Sequence, residues 1–173
     1  MLEKALAKEP GSFDLRLPYS YVLTLQRDPR AKDEMLGSFP WFLKSPPEID
    51  GGAGAFFAPE AIYLLRQSGD NAHADALARA YREWLDANLK PAKGTERGAV
   101  LGFRASLAAA NNDRNDILRQ LTALYDTGGL VVAYYAREPM VQPHRADPRV
   151  AELMKKFDAR RAEWMKQLAA EGL

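Results

Sequence analysis

The residues best suited to chemistry in this chain are its two histidines, His73 and His144. Histidine is the usual proton-transfer residue and the commonest metal ligand. The two lie 71 residues apart in the sequence, and neither has a carboxylate at the spacing of a metal-binding motif such as HExxH. The chain has no cysteine, which excludes disulfides, thiolate metal sites and cysteine nucleophiles. The sequence therefore predicts no catalytic activity, no metal site and no cofactor.

Three further stretches have ordinary structural explanations. The segment GGAGAFFAPE, residues 51–60, leads into a helix start but lacks the lysine and the serine or threonine of a phosphate loop, which favours a flexible connector. Carboxylate pairs such as Asp70 and Asp75 are common at helix starts. The basic cluster at residues 155–161 alternates with acidic residues at helical spacing, which is typical of a solvated helix face.

Composition and charge exclude several partner classes. Of 173 residues, 47% are apolar and 27% are charged, which is typical of a folded globular chain. Lysine and arginine number 24 against 23 aspartates and glutamates, and this balance argues against nucleic-acid binding, which needs a strong basic field. The longest nearly apolar run, GGLVVAYYA at 128–136, is too short to cross a membrane. We therefore expect no nucleic acid and no membrane among the partners, and a cytoplasmic location.

Apolar residues recur at helical spacing along most of the chain, which predicts an all-α fold. Residues 38–57 hold several prolines and glycines and are predicted to be irregular, so that helices return near Pro59. Residues 130–136 have strand propensity but no partner strand, so they are interpreted as a short helix or an extended segment. The last helix, with Asp147 as its cap and Pro148 in its first turn, is predicted to be the longest.

Three turns in the sequence look alike and suggest an internal repeat. Each follows an apolar helix, precedes another helix and carries an aspartate: Asp28 in LQRDP, Asp70 in RQSGDN and Asp113 in AANNDR. The aspartates are 42 and 43 residues apart. This spacing fits helix–turn–helix units, which must stack because a lone helix pair cannot bury both of its apolar faces.

Several segments resemble the tetratricopeptide-repeat family. LEKALAKEPGS resembles the end of such a repeat, and GDNAHADALARAYREW resembles its inter-helix turn and second helix. REPMVQPHRADPRVAELMKKF resembles the segment that closes repeat arrays in bacterial signalling and regulatory proteins. The resemblance implies one domain, a right-handed stack of antiparallel helix pairs forming a TPR-like α-solenoid. Its parts would be a trailing half-repeat at 1–10, helix pairs at 13–37, 58–89 and 95–127, an irregular insertion at 38–57 and a capping helix at 147–171.

The same resemblance implies a function. In tetratricopeptide arrays the first helix of each pair lines a groove that holds a partner peptide, so the chain is expected to be a protein-interaction or scaffold module of a larger bacterial protein. The candidate partner-binding residues, which could equally be ordinary surface residues, are Tyr21, Thr24, Tyr63, Arg66, Gln67, Arg97 and Arg104. The arginines favour an acidic partner or a carboxylate end, because arginine forms paired, planar contacts with carboxylates.

Two further expectations follow from the irregular segment and the short first helix. The alternative function is a receptor domain for a small molecule or peptide, with residues 38–57 as a lid. The first helix is expected to be the last half of a repeat that begins upstream, so part of an apolar face around Leu2, Ala5 and Leu6 would be uncovered. We therefore expect weak homo-oligomerisation through this end.

Overall fold

Helices make up all of the regular structure in the residues that the computed structural model describes, which are 2–10, 12–89, 95–128 and 138–172. The α-helices of this part are α1 (Leu2–Leu6), α2 (Phe13–Gln26), α3 (Ala31–Ser38), α4 (Ala53–Gln67), α5 (Asn71–Asn88), α6 (Thr95–Ala110), α7 (Arg114–Asp126) and α8 (Pro148–Ala170). Two 3₁₀ helices cover Pro40–Leu43 and Gln142–Ala146. The all-α class is thus confirmed, whereas the strand-like residues 130–136 lie outside the described residues.

The chain divides into two compact units, and the single repeat domain that the sequence suggests stays a prediction. Unit 1 covers residues 1–84 and unit 2 covers residues 85–173, so the boundary falls inside α5. Within unit 1, α2 packs against α1 and α3, and α3 also packs against α4. Within unit 2, α7 packs against α6 and α8, and the second 3₁₀ helix packs against α8. A continuous solenoid of tetratricopeptide type remains a prediction.

The three turns that look alike in the sequence have the same backbone geometry. In each, one residue adopts a left-handed conformation, and the next residue is the aspartate. The left-handed residues are Arg27 (φ 56°), Gly69 (φ 80°) and Asn112 (φ 58°). The aspartate N–H donates to the carbonyl five residues earlier at 2.9 Å in all three turns, which is the hydrogen bond of a Schellman helix ending. The prediction of three similar turns is confirmed.

The turn aspartates also serve the helices that follow. The Asp113 carboxylate accepts a hydrogen bond from the N–H of Asp116 at 3.0 Å, and Asp70 accepts one from the N–H of His73 at 3.4 Å. Asp28 accepts one from the N–H of Arg30 at 2.9 Å. These bonds satisfy backbone donors that have no partner inside the helix. One short sequence thus ends a helix and starts the next.

The tripeptide Asp-Pro-Arg occurs twice and folds the same way each time. Arg30 donates from Nε and Nη2 to the two carboxylate oxygens of Asp28, at 3.0 and 2.7 Å. Arg149 does the same to Asp147, at 3.2 and 2.8 Å. The arginine bonds lower the pKa of each aspartate to about 2. The prediction that Asp147 caps α8 with Pro148 in the first turn is confirmed.

The segment predicted to be an irregular insertion at 38–57 contributes to the core of unit 1. Phe39 and Phe42 are fully buried, and their rings stack with centroids 4.9 Å apart. α4 begins at Ala53 rather than near Pro59, and Pro59 lies inside the helix. Proline lacks only one N–H, so the helix tolerates it at a cost when neighbouring packing compensates. The early helix start therefore reflects tertiary packing rather than local preference.

Gly54 allows this helix start. A Cβ atom at Gly54 would lie 1.7 Å from Oδ1 of Asp50 and 3.6 Å from the Phe42 ring. The Ala55 N–H donates to the Asp50 carbonyl at 3.1 Å. Asp50 therefore both approaches Gly54 and accepts a backbone hydrogen bond at the start of α4. Only glycine leaves room for this arrangement.

In unit 2, His144 is a structural residue. Its side chain is buried, and Nε2 lies 3.1 Å from the carbonyl of Ala109 in the last turn of α6. The carbonyl can only accept, so Nε2 carries the hydrogen and donates it. The ring thereby ties the second 3₁₀ helix to the end of α6, whose last carbonyls lack helical partners.

We predict that the left-handed turn residues respond oppositely to substitution. G69A should lower the free energy of unfolding by about 1 kcal/mol, because a Cβ in this conformation is strained although no atom lies within 4 Å of it. R27G should raise the free energy of unfolding by up to about 1 kcal/mol, because the strain at Arg27 is relieved. Urea denaturation measures both, and a destabilised R27G would contradict the strain argument.

We predict that G54A destabilises unit 1 by up to about 1 kcal/mol, because the new methyl group must turn the exposed Asp50 carboxylate away, which outweighs the better helix propensity of alanine. G51A is the matched control, since a Cβ there would have only an ordinary contact, 3.9 Å from the Trp84 ring. Urea denaturation of the two variants decides the point. Equal stability of G54A and G51A would show that the Asp50 contact is not a constraint.

Candidate functional site

The structure divides the predicted partner-binding residues between the two units. Tyr21, Thr24, Tyr63, Arg66 and Gln67 belong to unit 1, whereas Arg97 and Arg104 belong to unit 2. Tyr21 and Tyr63 are half-buried, and Gln67 and Arg97 are exposed. Arg97 borders a small cavity of about 230 Å³ together with Ala123 and Asp126 at the end of α7.

Thr24 cannot be a partner-binding residue, because its side chain is buried. Its hydroxyl oxygen Oγ1 lies 2.9 Å from the carbonyl of Ser20, one turn earlier in α2, and is hydrogen-bonded to the carboxyl of Glu60 on α4. The tetratricopeptide resemblance predicts that Thr24 lines an outer groove with Tyr21. A carboxyl 36 residues away gives this hydroxyl a partner inside the protein instead.

Arg66 and Arg104 already have acidic partners. Arg66 donates to Asp75 on α5 at 2.7 Å, and Arg104 donates to Asp86 on α5 at 2.8 Å. Ion pairs of this partly exposed kind contribute about 0–1 kcal/mol to stability. They also offset the positive charge that the sequence analysis expected these arginines to offer to an acidic peptide.

Glu60 is a buried carboxyl that the sequence analysis did not single out. It is only 3% exposed, and burial raises its pKa to about 7. The Thr24 hydroxyl has one hydrogen, so when it donates to the Ser20 carbonyl, a protonated Glu60 must donate to the hydroxyl oxygen. Unit 1 therefore favours the neutral form of this acid.

Unit 2 contains a second buried pair of this kind. The hydroxyl of Ser106 on α6 lies 3.1 Å from the Gly102 carbonyl, one turn earlier, and is hydrogen-bonded to the carboxyl of Glu138. Both Ser106 and Glu138 are buried. In each unit, then, a helix hydroxyl links a backbone carbonyl to a glutamate distant in sequence. Such pairs specify which surfaces meet in the core.

An aromatic patch lies on the surface of unit 1, and we define it as Phe13, Trp41, Phe56 and Phe57. Phe13 and Phe56 are 39% and 38% exposed, and the other two are half-buried. Ring contacts join them through the buried Phe39, which lies 5.5 Å from Phe13, 5.5 Å from Trp41 and 5.9 Å from Phe57 between centroids. Phe56 contacts Phe57 at 5.0 Å.

The aromatic patch has a polar border. The N–H of Glu48 donates to the carbonyl of Trp41 at 3.2 Å, and the Glu48 carboxylate pairs with Lys44 at 2.8 Å. Leu43, the last residue of the 3₁₀ helix that contains Trp41, is 40% exposed. The density of aromatic residues in PWFL and AFF was the available sequence signal, but proline and glycine in this stretch favoured a loop.

No protein-family model matches the chain, and comparison with curated proteins and with solved structures gives no match either. The tetratricopeptide resemblance therefore remains a prediction. In the described part of the chain, no helix is long and apolar enough to cross a bilayer. The same residues contain no group of three or more histidines and carboxylates placed to hold a metal ion.

We predict that Glu60 makes stability fall as the pH rises. Its pKa is raised from 4.5 to about 7 in the folded chain, so between these values the folded state keeps a proton that the unfolded state has lost. The contribution of neutral Glu60 to the free energy of unfolding is therefore complete below pH 4.5. Up to about 3 kcal/mol of this contribution is lost as the pH rises through the folded-state pKa of about 7.

E60Q tests this, because its amide can donate to Thr24 at every pH. Urea denaturation should give similar stabilities for E60Q and the unchanged chain at about pH 5, and a more stable E60Q at about pH 8. E83Q, which alters an exposed glutamate of α5, is the control for loss of a negative charge. Parallel pH profiles for E60Q and the unchanged chain would contradict the assignment.

Proposed function

We propose that this chain is a protein-interaction module without a reaction of its own, and that the aromatic patch of unit 1 holds an apolar segment of a partner protein. The observation that carries the proposal is the exposure of Phe13 and Phe56 at the edge of one continuous set of ring contacts. Contiguous exposed apolar surface is typical of interaction sites, because water contact with it is unfavourable.

The patch has the anatomy of a binding surface. Its exposed rings rest on Phe39 and Phe42, which are fully buried, so the surface is formed before a partner arrives. A preformed surface lowers the entropy cost of binding. Aromatic anchors beside polar groups are typical of the residues that dominate interface energies, and here the Lys44–Glu48 pair lies next to Trp41.

The other candidate surfaces receive less support. Arg66 and Arg104 are paired with aspartates, so an acidic peptide would have to compete with Asp75 and Asp86. The lid proposed at residues 38–57 contains Phe39 and Phe42, whose burial anchors the segment in the core. The tetratricopeptide-like residues in the sequence favour the same class of function, a scaffold for a protein partner.

Selection of peptides from a displayed random library on the immobilised chain tests the proposal. We expect enriched peptides with aromatic or aliphatic residues, and a loss of about tenfold or more in their affinity for the double variant F13S/F56S. M165S is the matched control, since Met165 is an exposed apolar residue of α8 outside the patch. Circular dichroism checks the fold, and the single variant F56S replaces the double variant if that one unfolds.

Two results would overturn the proposal. One is the absence of any enriched peptide family. The other is a set of peptides that bind F13S/F56S, or folded F56S, as tightly as the unchanged chain.

A further inference from the structure

A second surface feature of unit 1 is a cavity of about 440 Å³ among α1, α2 and α3, which opens widely to solvent and shares no lining residue with the aromatic patch. Its size is within the range of small-molecule sites. Three of its lining residues are apolar, namely Leu6, Ala7 and Pro10, which are close together in the sequence. The remaining lining is polar and contains two arginines, two glutamates and a tyrosine: Arg16, Arg30, Glu3, Glu34 and Tyr19.

Arg16 is held in place but has unused hydrogen-bond donors. Its guanidinium lies across α3, where a Cβ at Gly37 would be 3.3 Å from Nη1, and its Nε is 3.5 Å from Oε2 of Glu34. Among the described residues, neither Nη1 nor Nη2 donates a hydrogen bond. The paired donors of a guanidinium match the two oxygens of a carboxylate. The guanidinium of Arg16, whose side chain is 34% exposed, can thus meet a ligand carboxylate with both of its terminal nitrogens.

The glutamates supply the opposite charge. Oε2 of Glu34 is shielded from solvent beside Arg16, so a ligand cannot contact it, but the Glu34 side chain as a whole is 28% exposed. Oε1 of Glu3 accepts the Tyr19 hydroxyl at 2.9 Å and lies 3.4 Å from Nη1 of Arg30. Arg30 itself is fixed by its two bonds to Asp28. The other oxygen of Glu34 accepts no hydrogen bond from the described residues, so this oxygen is the acceptor that the cavity offers to a ligand.

The balance of charges decides between ligand classes. Two arginines face two glutamates, so the lining has no net charge and a simple anion gains little. A dipolar molecule can pair both of its charges. Its carboxylate would contact Arg16 and its ammonium would contact Glu34, so the ligand would lie antiparallel to the Arg16–Glu34 ion pair. The three apolar lining residues can contact an aliphatic side chain. We infer that this cavity binds a free α-amino acid with an aliphatic side chain, in its dipolar form.

Calorimetric titration of the full chain with L-leucine tests the inference. N-acetyl-L-leucine lacks the ammonium and L-leucinamide lacks the carboxylate, so each removes one half of the proposed recognition. We expect L-leucine to bind with a millimolar or lower Kd, and each derivative to bind about tenfold or more weakly. The derivatives also represent the two ends of a peptide, so they separate a free amino acid from a peptide terminus.

R16Q should weaken L-leucine binding by about tenfold or more, whereas R79Q, the same change at an exposed arginine of α5, should not. Circular dichroism establishes that both variants fold. If R16Q unfolds, R16K keeps the charge without the fork and should show the same loss.

Three results would overturn the inference: no binding of L-leucine, binding of either derivative as tight as that of L-leucine, or unchanged binding by folded R16Q or R16K. The aromatic patch plays no part in these titrations. If L-leucine does not bind, the proposed partner-binding function is therefore unaffected. If the peptide selection fails, the amino-acid site is likewise unaffected.

Discussion

The α2–α3, α4–α5 and α6–α7 connections each depend on one residue with a left-handed backbone, followed by an aspartate. The Schellman hydrogen bond closes the first helix, and the aspartate side chain bonds the backbone at the start of the second. Because the reversal needs so few residues, the two helices of a pair begin next to each other and their apolar faces meet. The α2–α3 and α6–α7 pairs each pack together in this way. The surfaces discussed for function lie on helices that these turns position.

These turns could be predicted from the sequence because their causes are local. Asp70 and Asp113 bond backbone groups three residues away, so a short motif contains all of the interacting atoms. The cap of α8 by Asp147 was predictable for the same reason. Even so, the turn with Arg27 shows that a residue without special left-handed preference is accepted when the rest of the motif is present.

The features that sequence reasoning missed depend on residues that are far apart along the chain. Thr24 looks like a surface residue until Glu60, on another helix, becomes its partner. Pro59 looks like the start of a helix until burial of Phe42 and the close approach of Asp50 to Gly54 fix an earlier start. Neither contact leaves a periodic signal. Helical spacing identified apolar core residues such as Leu77 and Leu121, but it could not identify these buried polar contacts or the functional surface.

The proton that buried Glu60 keeps in the folded chain has a consequence for calorimetry. At about pH 6, folded unit 1 retains a proton on Glu60 that the unfolded chain gives up, so unfolding transfers about one proton to the buffer. The heat absorbed in the transition therefore includes the heat of protonating the buffer. Phosphate and amine buffers differ greatly in that heat, so the same unfolding event has a different apparent enthalpy in each.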